Sequence, residues 1–230
     1  PMNAPAGFWR RYAAYSVDAL ALCLVALPLL WPRLRAAPAR LLGDLEPLQH
    51  RTWELMDTAL GSTGNPYAAV LAWPSDPALQ AGVAALTRQV LALSLVVTAT
   101  LFVLAAVWFI ASESSRWQAS PGKRLLGLRV TTLDGGRCGP GRAALRFFAG
   151  IASWALLNLG HAMAGWNPGK RALHDFIAGT RVELAPGAPA AMPAAARAWL
   201  LLQAAVAAGT LAWLLLRYLQ LLQDAVAAGL

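Results

Sequence analysis

Asp18 is a carboxylate inside an otherwise apolar run, residues 13–31, and it is the side chain there most able to do chemistry. At the centre of a bilayer helix such a charge costs about 2.5–3.5 kcal/mol on insertion scales, and less near a helix end. A neighbour must offset it. Arg11 precedes it by seven residues, about 10 Å along a helix that rises 1.5 Å per residue. That spacing is nearly two turns, so Arg11, Ala14 and Asp18 share one face. An arginine reaching in from the interface would partly neutralise the acid. Two readings stand. In one, Asp18 binds a proton or a cation. In the other, it makes a structural ion pair or hydrogen bond that fixes helix packing.

Other polar residues are weaker candidates. Lys123 with Arg124, and Lys170 with Arg171, each follow a Pro-Gly pair. The bland reading gives them lipid headgroups and a topological role. The sharper one makes them an anionic-ligand site facing Asp18 and Asp175. His174 beside Asp175 has the composition of a proton relay, because imidazole titrates near neutrality. Sequence neighbours on a helix do not face each other, however. His161 lies in a mainly apolar run and reads as a packed polar side chain. Cys23 and Cys138 have no metal-ligand spacing around them and read as unpaired thiols. No Ser-His-Asp order, HExxH, phosphate loop or paired-cysteine motif occurs. The expectation is a protein that is not an enzyme and has no catalytic residue, metal site or cofactor.

The elements that hold these residues are set by hydropathy. Of the 230 residues, 58% are hydrophobic and only 13% charged. A soluble domain carries about 25% charged residues, so this chain cannot cover a surface that faces water. Its apolar residues also fall in long runs, which points to lipid. The net charge is +8, which in a soluble protein would suggest nucleic acid. Here the basic residues sit between the apolar runs. They read as orientation in the bilayer and contact with anionic headgroups, with no nucleic-acid partner.

Residues 13–31 are long enough to cross a hydrocarbon layer of about 30 Å and are bracketed by Trp9 and Trp31. Asp18 and the length of the run argue against a cleaved signal peptide and for a retained helix. Residues 90–111 carry no charge. Asp76-Pro77 is an N-cap followed by a first-turn proline, which predicts a helix running from there to Ser112 and projecting beyond the bilayer. Residues 147–166 are interrupted by Gly150, Ser153, Asn158, Gly160 and His161. A Pro/Ala-rich linker, 183–196, leads to an additional C-terminal membrane helix at 197–222. The expected fold class is an all-α polytopic membrane protein. It has three to four apolar helical spans and a small cytoplasmic β-hairpin-like element.

Loop charge sets orientation. Arg10 and Arg11, and the basic connection from Arg116 to Arg146, belong in the cytoplasm. The outer segment 32–88 carries Arg33, Arg35, Arg40 and Arg51 against Asp44, Glu46, Glu54, Asp57 and Asp76, without the basic excess of the other connections, and faces outward. Leu45, Leu48, Leu55, Met56, Ala59 and Leu60 within it recur at helical spacing, which predicts one short amphipathic helix lying on the outer surface. Residues 61–66 and 73–77 read as turns. Two stretches echo each other: each opens with Pro-Gly-Lys-Arg, at Pro121 and at Pro168, and closes with Gly-x-Arg-Val, at Val130 and Val182. Residues 130–133 read as a strand entering the Asp134-Gly135-Gly136 turn, with residues 181–184 as its partner. If the strands pair, residues 147–166 leave on the side they entered and are re-entrant. The alternative is one ordinary crossing.

Three motifs together resemble the RDD family of bacterial membrane proteins, named for one arginine and two aspartates. They are Arg11-x-x-Ala14-x-x-x-Asp18, the stretch from Trp117 through Pro121-Gly122-Lys123-Arg124 to Val130, and the stretch from Arg171 through His174-Asp175 to Val182. The resemblance covers residues 8–182 and makes Asp175 the second aspartate. The outer segment is longer than the family's usual connection, and the C-terminal helix lies outside the match. The resemblance implies a protein of the bacterial inner membrane, to which the apolar runs and loop charges add several passes and a cytoplasmic N-terminus. It implies no settled activity; transport of an unidentified ligand has been suggested for the family, cation/proton exchange being one version. Arg11, Asp18 and Asp175 are then the signature residues of an ion or ligand site, supported by Lys123, Arg124, Lys170, Arg171 and His174. The expected function is a small transporter or transporter-associated subunit whose intramembrane carboxylate binds a proton or cation. The alternative is a non-catalytic membrane scaffold or interaction protein in which the Arg/Asp residues are structural. Expected partners are a bilayer with anionic headgroups and either further copies of the chain or another membrane protein.

Overall fold

The structure, a computed structural model, describes residues 4–61 and 66–227. The turn expected over 61–66 falls mostly outside the described residues. Helix α1 (Phe8–Gly61) is followed by α2 (Pro66–Ala72), a 3-10 turn (Trp73–Ser75) and α3 (Pro77–Ser114). Then come α4 (Pro121–Leu125), β1 (Leu128–Thr132), α5 (Pro140–Ala155), α6 (Leu159–Ala162), α7 (Leu173–Ile177), β2 (Thr180–Leu184) and α8 (Ala194–Ala227). Helices α1, α3 and α8 are long and apolar enough to cross a membrane, and the bent pair Pro140–Trp154 with Leu159–Gly165 would make a fourth span.

The chain divides into two compact units, Pro1–Leu20 with Ala106–Leu230 and Ala21–Ala105. The first holds both strands. β1 and β2 are antiparallel, in a register that sets Leu128 opposite Leu184, Val130 opposite Val182 and Thr132 opposite Thr180. Residues before α1 extend this pairing, with the Ala6 amide donating to the Val182 carbonyl at 3.0 Å and the Leu184 amide donating to Ala4 at 3.0 Å. The core of the unit is small and compact: Ala13, Ala14, Leu128, Val130, Cys138, Ala143, Val182 and Ala196 are buried together. Large apolar side chains point the other way, for example Tyr12, Leu145, Phe148 and Trp154. A helix with small and polar residues inside and large apolar residues outside is arranged for lipid, where apolar surface needs no shelter.

Helix α8 is tied to α1 by polar contacts. The Trp199 indole donates to Ser16 Oγ at 2.9 Å, the Gln203 amide donates to the same oxygen at 3.2 Å, and Tyr12 donates to Gln203 Oε1 at 3.2 Å. Away from water, side-chain bonds of this kind hold helices that hydrophobicity alone does not bring together.

In the second unit α1 and α3 run antiparallel. Arg51 pairs with Asp76 at 2.7 Å, the Gln89 amide donates to Asp44 at 2.7 Å, and Leu48 sits against Gly82. A Cβ at Gly82 would lie 2.7 Å from Leu48 Cγ, so the two helices approach closely there and a larger residue would require Leu48 to shift. The short helix expected within the outer segment is thereby corrected: α1 continues unbroken through Pro32, Pro38 and Pro47. Sequence rules break a helix at proline because of the lost amide, but the contacts with α3 hold the residues beyond. Helix α3 starts where Asp76 accepts from the Ala78 and Leu79 amides, both at 3.0 Å.

The Arg51 hydrogen bonds hold the Asp76 carboxyl down at about 2, and Asp76 raises the Arg51 guanidinium. A depressed acid contributes stability above its unfolded value near pH 4 and loses it as pH falls through the folded value. Asp76→Ala removes both the cap and the ion pair. The amides of Ala78 and Leu79 are then expected to exchange hydrogen faster at neutral pH, read by mass spectrometry, whereas those of the α3 mid-span should not change.

Candidate functional site

Asp18 is fully buried. It accepts from Ser120 Oγ at 2.5 Å, the Gly122 amide at 2.8 Å and the Trp108 indole at 3.1 Å. All three donors are neutral. Ser120 caps α4 and Gly122 lies in its first turn, so Asp18 completes the start of that helix from outside. Hydrogen bonds to a charged group are worth about 1.5–3 kcal/mol each, which is enough, from three donors, to offset the burial cost of one carboxylate. The site also explains a glycine. A Cβ on Gly122 would run into the Ala14 carbonyl oxygen and lie 2.9 Å from the Asp18 carboxylate.

Asp175 is also fully buried. Arg11 Nη1 donates to its Oδ2 at 2.6 Å, the Ala172 amide to Oδ2 at 2.9 Å, and Arg146 Nη1 to Oδ1. The Ala172 contact is a turn of α7 closing on itself. Arg146 Nε continues to Glu113 at 3.0 Å, and Glu113 accepts from Lys123 Nζ at 2.5 Å. Lys123 also lies 5.1 Å above the Phe109 ring. Its amide meets Ser120 Oγ at 3.4 Å, the same oxygen that donates to Asp18. A polar circuit therefore leaves α1 at Asp18, crosses α4, α3, α5 and α7 in turn, and returns to α1 at Arg11. It contains three cations (Arg11, Lys123, Arg146) and three carboxylates (Asp18, Glu113, Asp175), so its formal charge is zero.

The expected proximity of Arg11 to Asp18 needs correcting. Arg11 turns to Asp175, donating also from Nε to Ala6 O at 3.0 Å and from Nη2 to Val182 O at 3.1 Å. The two residues do share a helix, but neutral donors already fill the Asp18 oxygens. Lys123 is not a headgroup contact, being buried against Glu113. Arg124 stacks on the Trp117 ring at 4.6 Å and Arg171 on Phe176 at 4.0 Å. Arg171 also donates to the Asp175 carbonyl at 3.2 Å. Lys170 sits in a left-handed turn, with φ +48°, and makes none of the circuit's contacts. His174 Nε2 lies 3.5 Å from Asp175 Oδ1, and its ring centroid is 5.0 Å from that of His161.

Glu113, Arg146 and Trp108 were missed by motif reading, while Ser120 and Thr180, whose Oγ1 accepts from Arg146 at 3.1 Å, lie within the quoted motifs without being singled out. The usable signal was an acid placed directly at the end of the long uncharged run 90–111.

The sequence profile of the RDD family matches residues 5–179, three-quarters of the chain. The chain belongs to the RDD family. The RDD protein is also similar to the uncharacterized protein YxaI of Bacillus subtilis (strain 168), at 24% identity over 181 residues, covering 79% of this chain and 98% of YxaI. No solved structure matches it. The circuit lies inside the matched region except for Thr180, and α8 lies beyond it.

Two outcomes test the site. Gly122→Ala should cost about 1–3 kcal/mol, the range for overpacking a filled core. Gly141→Ala, where an added Cβ meets nothing within 4 Å, should stay within about 0.5 kcal/mol. Denaturant unfolding in detergent compares them. The second outcome concerns His174. Burial first, then Arg146, His161, Lys123 and Arg11, hold its imidazole well below the usual range, so it is neutral in the fold. An unfolded histidine takes up a proton below about pH 6.5, so stability should decline as pH falls through that value. Thermal midpoints taken from about pH 8 to about pH 5 should fall in the native protein and fall less in His174→Gln.

Proposed function

We propose that this RDD protein is a non-catalytic scaffold or interaction module of the bacterial inner membrane. Its signature residues lock helices together rather than carry a ligand. The observation behind this reading is saturation. Asp18 and Asp175 are fully buried, and each accepts three bonds from its own chain. Within a charge-balanced circuit an incoming ion would have to displace those donors. Leaving one member of a buried pair alone costs roughly 3–5 kcal/mol. The excess of basic residues in the connection 112–146 supports a cytoplasmic side for that connection and the N-terminus, by the positive-inside rule. The segment 32–88, whose five acidic residues are balanced by five arginines, then faces outward. Arg116 and Arg124, which flank the exposed Trp117, suit anionic headgroups. Its protein partners are further copies of itself or another membrane protein.

One feature favours a second reading, in which the protein transports a proton or cation alone or as an accessory subunit. The three donors of Asp18 are all neutral, so that carboxylate has no formal counter-charge in direct contact. Reconstitution into liposomes containing anionic lipid, followed by imposed proton and sodium gradients, separates the readings. The scaffold predicts no flux in the native protein and a lowered unfolding midpoint in Asp18→Asn. Native flux that disappears in a folded Asp18→Asn protein would establish transport instead.

A further inference from the structure

The pairing of β1 with β2 constrains everything between them. Five consecutive residue pairs, from Leu128 with Leu184 to Thr132 with Thr180, hold the two strands side by side. The chain therefore leaves β1 and returns to β2 at one place, and residues 133–179 begin and end on one face of the membrane. Helix α5 has 16 residues, about 24 Å at 1.5 Å each, short of the roughly 30 Å of a hydrocarbon layer. It ends in a break where Leu157 (φ +51°) and Asn158 (φ +64°) are left-handed, and the chain folds back through 115° into α6.

The faces of this hairpin are inverted relative to a water-soluble one. Inward on α5 lie Ala143, Arg146 and Ser153, all buried. Outward lie Leu145, Phe148, Ile151 and Trp154, between 47% and 56% exposed, with Leu157 at 88% on the tip. Arg146 is committed to Glu113 and Asp175 on the inner side, which fixes the rotation of the helix and keeps the apolar face outward. A surface of this composition, on a helix whose inner Ala143 shares a core with Ala13 and Ala14 of α1, suits a bilayer. An outward row of large apolar side chains is stable against acyl chains and not against water.

We infer that residues 140–165 form a re-entrant hairpin that inserts its Leu145-Phe148-Ile151-Trp154 face and its Leu157 tip into one leaflet, its lipid partner, and does not cross. The membrane is then crossed by α1, α3 and α8 alone among the described helices. The backbone at the break is tolerated because protein covers one side of the hairpin: Gly160 packs against Ser153 and Leu173.

The test uses full-length protein in liposomes, with Cys23→Ser and Cys138→Ala as background. Single cysteines are placed at Gly141, Pro168 and Leu157, and a membrane-impermeant maleimide is applied from each side in turn. Gly141→Cys and Pro168→Cys should label from the same side. Leu157→Cys should resist the reagent from both sides, and a nitroxide attached there before reconstitution should be relaxed by oxygen and not by a water-soluble nickel chelate. Labelling of Gly141→Cys and Pro168→Cys from opposite sides would overturn the hairpin. Labelling of Leu157→Cys by the aqueous reagent from either side would overturn the insertion. Thermal melting of each labelled variant confirms that the fold is retained, and a variant that fails it is replaced by Ile151→Cys or Gly169→Cys.

Discussion

A carboxylate away from water must find its hydrogen-bond donors within the protein, and the first unit of this RDD protein is organised by that requirement. Asp18 cannot be satisfied by its own helix. It draws Ser120 and the Gly122 amide from α4 and the Trp108 indole from α3. Those partners bring Lys123, which needs Glu113, which takes Arg146, which takes Asp175, which takes Arg11. From Lys123 onward each link cancels a charge the previous one exposed. The sequence closes on the helix where it began, so no member can be removed without leaving another unpaired.

The rest of the unit follows from what the circuit occupies. Polar groups fill the inside, so the space between elements is lined by small residues: Ala13, Ala14, Ala143 and Gly122 let backbones approach closely enough for the bonds to form. Large apolar side chains are displaced outward, where lipid receives them. The same rule attaches α8, which meets α1 through Ser16, Trp199 and Gln203 rather than through an apolar seam. The second unit obeys a different logic. Its helices are held where α1 and α3 run past each other, by the Arg51–Asp76 pair and the Asp44–Gln89 bond. These are more exposed contacts, each worth little alone, and they act together with the close approach at Gly82.

Some of this was legible in the residues. The runs 13–31 and 90–111, the Asp76-Pro77 start of α3 and the pairing of the two short strands are local patterns: apolar length, a capping pair, and a β-rich stretch beside a Gly turn. The three signature motifs were legible as motifs. The partner of Asp18 was not, because on one helix the nearest basic residue sharing its face is Arg11, and only α4 and α7 decide that Arg11 goes elsewhere. The continuity of α1 was hidden for the opposite reason. Proline at 28, 32, 38 and 47 is a local signal for a break, yet α1 runs on past all four, and near Pro47 it meets partners 25 to 45 residues away in sequence.

By itself, then, the sequence determined that this chain lives in a bilayer, which runs are apolar enough to cross it, and which charges stand out against that background. These are properties of composition and of spacing along one helix or strand. The tertiary structure alone decided which carboxylate meets which cation, that Glu113 and Arg146 belong to the circuit, and that the charges balance. Those depend on distances between elements far apart in the chain, set by how closely small residues allow the backbones to pack. In a medium that supplies no hydrogen bonds of its own, such distances determine whether each buried charge is satisfied.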